Sequence, residues 1–262
     1  MKVLNYGSLN VDYVYSVDHI IVGGETQHSS KLEVFSGGKG LNQSIALAKA
    51  GVPVYHAGIV GTDGDILLEA CKEAGVNTKY IRRLPVKGGH TMIQVDKNAQ
   101  NCIILYGGTN QMQTKEFVDE VLADFGEGDY LILQNEINML DYIIDQAYEK
   151  KMKIVMNPSP FDDKLSTCDL SKVYLFLVNE IEGEQITGCK DKDQILDAMA
   201  ARFPNARFVL TLGSDGAVYY DGKEKVFQDI FKVKAVDTTA AGDTFTGYFI
   251  AAVTAGRSIQ EA

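Results

Sequence analysis

Short apolar runs separated by longer segments of helical period constrain this chain more than any other feature. The runs fall near Val3 to Tyr6, Val54 to Gly58, Tyr130 to Leu133, Lys153 to Met156, Tyr174 to Val178 and Phe208 to Leu212. Near-continuous apolarity over so few residues suits a strand buried on both faces, and parallel strands of that kind need crossover helices. Helical patterns fill the gaps near Lys39 to Ala50, Asp65 to Ala74, Thr114 to Asp124, Met139 to Lys150 and Asp191 to Arg202. The alternation predicts an α/β fold: a doubly wound, mostly parallel sheet with helices on both faces. By contrast, Val11 to Val17, Lys31 to Phe35, Thr91 to Asp96 and Cys102 to Tyr106 have no helices between them and alternate as antiparallel strands do. They read as a small β-sheet lid from segments within about 11–35 and 77–106, carried on a single domain of residues 1–262.

In open sheets of this kind ligands bind beyond the carboxyl ends of the strands. Asn10 and Asp12 follow the first run, Glu136 follows Tyr130 to Leu133, Asn179 follows Tyr174 to Val178, and Gly213 follows Phe208 to Leu212. Two small-residue clusters add chemistry. Asp237-Thr238-Thr239-Ala240-Ala241-Gly242-Asp243-Thr244-Phe245-Thr246-Gly247 opens a helix whose first N–H groups, with the dipole, favour phosphate oxygens. Asp243 would face that anion, placed to orient a hydroxyl for phosphoryl transfer and to take its proton late. A capped helix with Asp243 complementing the dipole is the competing reading. Ser36-Gly37-Gly38-Lys39-Gly40-Leu41-Asn42-Gln43 is a loop feeding a second helix, where glycine permits close backbone approach and Lys39 and Asn42 offer donors to sugar hydroxyls. It is not a Walker A loop, because no glycine stands five residues before a Gly-Lys-Ser/Thr. Asn179 and Glu182 have the spacing of a capping box, which competes with any ligand role for them.

Together these segments resemble the ribokinase family of carbohydrate kinases, the PfkB type, over nearly the whole chain. Gly7 to Asp12 is similar to its first sugar-binding strand end, Leu133 to Glu136 to a later sugar contact, and Asn157 to Pro160 to a following loop. Asn179-Glu180-Ile181-Glu182 resembles the family's Asn-x-x-Glu element, Thr211 to Gly216 its nucleotide loop, and Asp237 to Gly247 its most specific signature. The resemblance implies an ATP-dependent sugar kinase acting on D-ribose, with another sugar or a nucleoside, or binding without turnover, as alternatives. It implies Asp243 as catalytic base, and Asn10, Asp12, Gly38, Lys39, Asn42 and Glu136 around the sugar. Asn179, Glu182, Thr211, Gly213, Gly216, Ala240, Ala241 and Gly242 would lie along the nucleotide. Mg²⁺ would arrive with ATP and meet Glu182 through water, and Asp237 with Thr239 would form a monovalent-cation site, implying potassium activation. Relatives continue past Ala262 through elements of the adenine pocket, so the C-terminal part reads as truncated. A homodimer through the lid is a further expectation.

Composition narrows the remaining classes. A net charge of −10 and a pI near 4.9 argue against nucleic acid or an anionic membrane as partner. Cys71, Cys102, Cys168 and Cys189 lack C-x-x-C spacing and read as reduced thiols, pointing to a cytosol. His19, His28, His56 and His90 have no zinc-ligand spacing, and no G-x-G-x-x-G follows the first strand. The N-terminus enters a strand directly, so neither a signal peptide nor a membrane span is expected.

Overall fold

A computed structural model describes residues 1–233 and 239–262. Among them, strands and helices follow in this order: β1 (Val3–Tyr6), β2 (Asn10–Ser16), β3 (Lys31–Gly37), α1 (Lys39–Lys49), β4 (Val54–Val60), α2 (Asp65–Ala74), β5 (Asn77–Arg83), β6 (Gly89–Val95) and β7 (Asn101–Tyr106). Then come α3 (Lys115–Leu122), β8 (Tyr130–Gln134), α4 (Leu140–Glu149), β9 (Lys153–Asn157), β10 (Leu175–Asn179), α5 (Glu180–Thr187) and α6 (Lys192–Arg202). The chain closes with β11 (Arg207–Thr211), β12 (Ala217–Tyr220), β13 (Lys225–Gln228) and α7 (Ala241–Thr254). The larger sheet has the order β13-β12-β11-β10-β9-β8-β1-β4-β5. It is parallel from β11 through β5, and antiparallel only where β12 and β13 extend it. Chain order reverses between β1 and β8, and the crevice of an open α/β sheet lies at such a reversal.

Strand alternation sorts the core into two layers. Leu4, Tyr6, Leu131, Leu133, Ile154, Met156, Phe176 and Phe208 pack with α3, α4 and α6 on one face. Val3, Val54, Tyr130, Ile132, Val155, Leu177 and Val209 pack with α1, α2 and α7 on the other. On α1, Leu41 and Leu47 are fully buried, each contributing about 1.5–3 kcal/mol relative to exposure. α1 and α7 lie very close together: a β-carbon on Gly247 would strike the Ala46 side chain and sit 2.9 Å from the Leu47 nitrogen.

The smaller sheet has the order β3-β2-β6-β7. The strand alternation leads one to expect antiparallel pairing throughout, but β2 and β6 run parallel while β2–β3 and β6–β7 are antiparallel. A side-chain period of two is the same for either direction, so it carries no information about direction. Residues 77–83, at the start of the second expected lid segment, pair as β5 with β4 at the edge of the larger sheet. The small sheet meets the body at Asp63, which bonds Lys87 at 2.6 Å and takes the Gly88 N–H at 2.9 Å. Among the described residues, no helix is long and apolar enough to cross a membrane.

Candidate active site

The site is assembled around the turn that starts α1. Gly38 sits at φ 95°, and a β-carbon there would lie 3.0 Å from both the Asn10 nitrogen and the Ser8 carbonyl oxygen, so the turn is reserved for glycine. Asp12, at the mouth of β2, abuts Gly37 and takes the Thr91 hydroxyl at 2.6 Å. Glu136, just beyond β8, accepts the Lys39 N–H at 3.1 Å and the Ser8 hydroxyl through the same oxygen. Asp243, in the first turn of α7, accepts Asn42 Nδ2 at 3.2 Å on Oδ2 and Gln43 Nε2 at 2.9 Å on Oδ1. Carboxylates from three distant parts of the chain thus converge on residues 37–43. Asn10 is also close, 2% exposed, with its Oδ1 held by Asn110 Nδ2 at 2.7 Å.

Such crowding has an electrostatic cost. Burial pushes the Glu136 carboxyl above its ordinary range, opposed by the Ser8 hydroxyl and the Lys39 ammonium, while the nearby Asp243 charge adds to the rise. Burial likewise raises Asp12, with the Thr91 hydrogen bond opposing. These acids are anchored by donors on one side and remain thirsty for more, which suits them to the hydroxyls of a polyol.

On the far side of Asp243 the chemistry changes from side chain to main chain. Ala240 is left-handed at φ 56°, and its carbonyl accepts the first intrahelical bond, from Thr244 N–H at 2.8 Å. The N–H groups of Ala241, Gly242 and Asp243 come before that bond and point out of the helix start. They open on a cavity of about 230 Å³ lined by Ala240, Ala241, Gly242, Asp243, Asn157, Asn179, Glu182, Thr211 and Lys39. Lys39, expected beside the sugar, therefore also borders the cavity at the start of α7. A larger cavity of about 820 Å³ continues past Thr211, Ala241 and Gly242, lined by Gly213, Gly216, Tyr219 and Phe249 among others.

Asn179 and Glu182 form a complete capping box: Asn179 Oδ1 takes the Glu182 N–H at 2.9 Å and Glu182 Oε2 takes the Asn179 N–H at 3.0 Å. The box is realised, and both residues still line the smaller cavity at the start of α7. Among the described residues, no group of three or more His, Cys, Asp or Glu is placed to enclose a metal. One carboxylate and one amide at a cavity wall fit Mg²⁺ that arrives on phosphates and keeps most of its water. Thr239 directly precedes Ala240, whereas Asp237 lies outside the described residues.

Sequence alone assigns no role to Gln43, Ser8, Thr91 or Asn157, although the first, second and last stand inside the motifs. For Gln43 a signal existed: it lies on α1 between Leu41 and Ala46, on the side that the helical period assigns to the core.

A family model described as "pfkB family carbohydrate kinase" matches residues 1–262. The chain is 33% identical to a ribokinase of Haemophilus influenzae over 269 aligned residues, covering 98% of this chain and 86% of that protein. It is 29% identical to a deoxyribokinase of Salmonella typhi, covering 95% and 84% respectively. The structure of an Arabidopsis thaliana ribokinase complexed with ribose and ATP superposes with a TM-score of 0.86 at 27% identity, covering 99% of this chain and 88% of that one. The chain belongs to the pfkB family of carbohydrate kinases, phosphotransferases with a hydroxyl group as acceptor.

Proposed function

We propose that this kinase transfers the γ-phosphoryl group of ATP to the 5-hydroxyl of D-ribose, with Asp243 as the base. One observation carries the reading: Asp243, 7% exposed, is shared between the amide donors of α1 and the phosphate cavity at the α7 N-terminus. A hydroxyl lodged against Asp12, Asn42 and Glu136 would meet the carboxylate on one side and a γ-phosphate on the other. The sugar oxygen forms a bond to phosphorus, the bond to the leaving ADP oxygen breaks, and the hydroxyl proton passes to Asp243. Proton transfer is late in a loose transition state, so the placement of Asp243 matters more than its basicity. The N–H groups of Ala241 to Asp243 would stabilise the charge on the equatorial oxygens, with Lys39 beside them.

Mg²⁺ bound with the nucleotide would neutralise charge on the β- and γ-phosphates, with Asn179 and Glu182 as its water-mediated anchors. The adenosine moiety fits the larger cavity through Gly213 and Gly216. The monovalent-cation reading of Asp237 and Thr239 belongs to the same proposal, and comparing rates in potassium and choline salts tests it.

The assay that decides the substrate is ADP release against ribose, 2-deoxyribose, fructose and nucleosides. Ribose should give the highest kcat/KM. The deoxyribokinase likeness favours 2-deoxyribose as the second reading, and faster turnover of that sugar would replace the first. The small sheet leaves Leu32, Val34, Met92 and Ile104 exposed, which supports a homodimer through that sheet. A single monomeric species in sedimentation velocity at micromolar concentration would remove it.

A further inference from the structure

The sheet face beneath Asp243 carries amides that phosphoryl transfer itself does not require. Asn5 stands in register with His56 on β4 and Ile132 on β8, and Gln134 lies two residues beyond Ile132 on the same face. α1 lays Gln43 and Ser44 over this patch, and all five polar residues are at most 1% exposed. Their bonds run in one direction. Asn5 Nδ2 donates to the Gly40 carbonyl at 2.8 Å and to Ser44 Oγ at 2.9 Å. Gln134 Nε2 donates to Asn5 Oδ1 at 3.0 Å and to Gln43 Oε1 at 2.7 Å. Gln43 Nε2 then donates to Asp243 Oδ1 at 2.9 Å.

A backbone carbonyl can only accept, so Gly40 decides which way Asn5 stands; Asn5 in turn decides Gln134, and Gln134 decides Gln43. Reversing Asn5 or Gln43 would set oxygen against oxygen and nitrogen against nitrogen, and reversing Gln134 would set its oxygen against those of Asn5 and Gln43. Gln134 Oε1 is buried and has no partner among the described residues, so this amide commits its nitrogen to the chain of bonds.

We propose that Gln43, oriented by Gln134, is a positioning residue that holds Asp243 Oδ1 and so reserves Oδ2, the oxygen beside Asn42, to receive the proton of the sugar hydroxyl. The inference rests on Asp243 being the base. Gln43→Met keeps the length of the side chain and removes both hydrogen bonds. With ribose and ATP its kcat should fall about 10–100-fold, the usual effect of losing an orienting partner, while KM for both substrates stays within about threefold. Gln134→Met should shift kcat in the same direction by less. Added to Asp243→Asn, Gln43→Met should cause no further loss, because residues acting through one group are non-additive.

A folded Gln43→Met protein with wild-type kcat would overturn the proposal, as would a full additional loss on top of Asp243→Asn. If Gln43→Met does not fold, Gln134→Met is judged by the same criteria. Wild-type turnover by Asp243→Asn alone would instead overturn the base assignment on which the proposal rests.

Discussion

The two sides of Asp243 are built from different material. Toward the proposed sugar position, the donors and acceptors are side chains: Asp12, Glu136 and Asn42, each held by a named partner. Toward the phosphates, the donors at the start of α7 are main-chain N–H groups offered by a left-handed Ala240 and the turn after it. A side-chain wall can be retuned by substitution, which suits selection among sugars. A main-chain wall is indifferent to side-chain identity, which suits the phosphates of a nucleotide donor that stays the same whichever hydroxyl accepts.

The sharpest break is at the boundary itself. Asp243→Asn keeps size but removes the charge and one of the two oxygens that accept from Asn42 and Gln43, so kcat should fall roughly 10²–10⁴-fold with sugar affinity preserved. A capping role alone would instead cost about 0.3–1 kcal/mol of stability with near-normal turnover, so kcat and Tm on one sample separate the two. Next in size, Glu136→Gln removes a charge-assisted acceptor from the sugar wall, and the sugar KM should rise about 10–100-fold with ATP KM little changed. Equal effects on both substrates would erase the distinction between the two walls.

A stability effect follows from the patch beneath. Burial lowers the His56 pKa to about 4, so the folded protein keeps it neutral where the unfolded chain would already be protonated. The unfolded state binds more protons between the two pKa values, so this histidine makes stability fall as pH drops from about 6.5 toward 4, by up to roughly 3 kcal/mol. Asp12 and Glu136, with raised pKa values, act in the opposite sense, so the comparison must be wild type against His56→Gln. The variant should lose less of its Tm on acidification than wild type does; parallel curves would refute the assignment. The smallest effect is expected on the main-chain wall. Ala240→Gly relieves a left-handed alanine and leaves the N–H groups in place, so stability should change by no more than about 1 kcal/mol and turnover should be retained.

Much of this was legible in sequence, for reasons that differ by region. The parallel body announced itself because strands buried on both faces are written as unbroken apolar runs. β12 and β13 escaped because each is four residues long, too short to establish a period. The parallel pairing of β2 with β6 was hidden because alternation is blind to direction. In the site, Asp243, Asn42, Lys39 and Glu136 stood out by their glycine-rich or strand-end settings. Gln43, Gln134 and Asn5 did not, because a buried amide within an apolar pattern looks like an interruption until its partners from other elements are seen.

The contact at Gly247 has a mechanical meaning. Asp243 and Gly247 are four residues apart and share one face of α7, as Asn42 and Ala46 do on α1. One turn below Asp243, the Ala46 methyl group of α1 packs directly on the bare α-carbon of Gly247, with no side chain on the α7 side of the contact. That contact acts as a gauge block for the distance above it. A single added carbon at position 247 would wedge the helices apart, and the gap between Asp243 and the amides that aim it would widen without any residue of the site having changed.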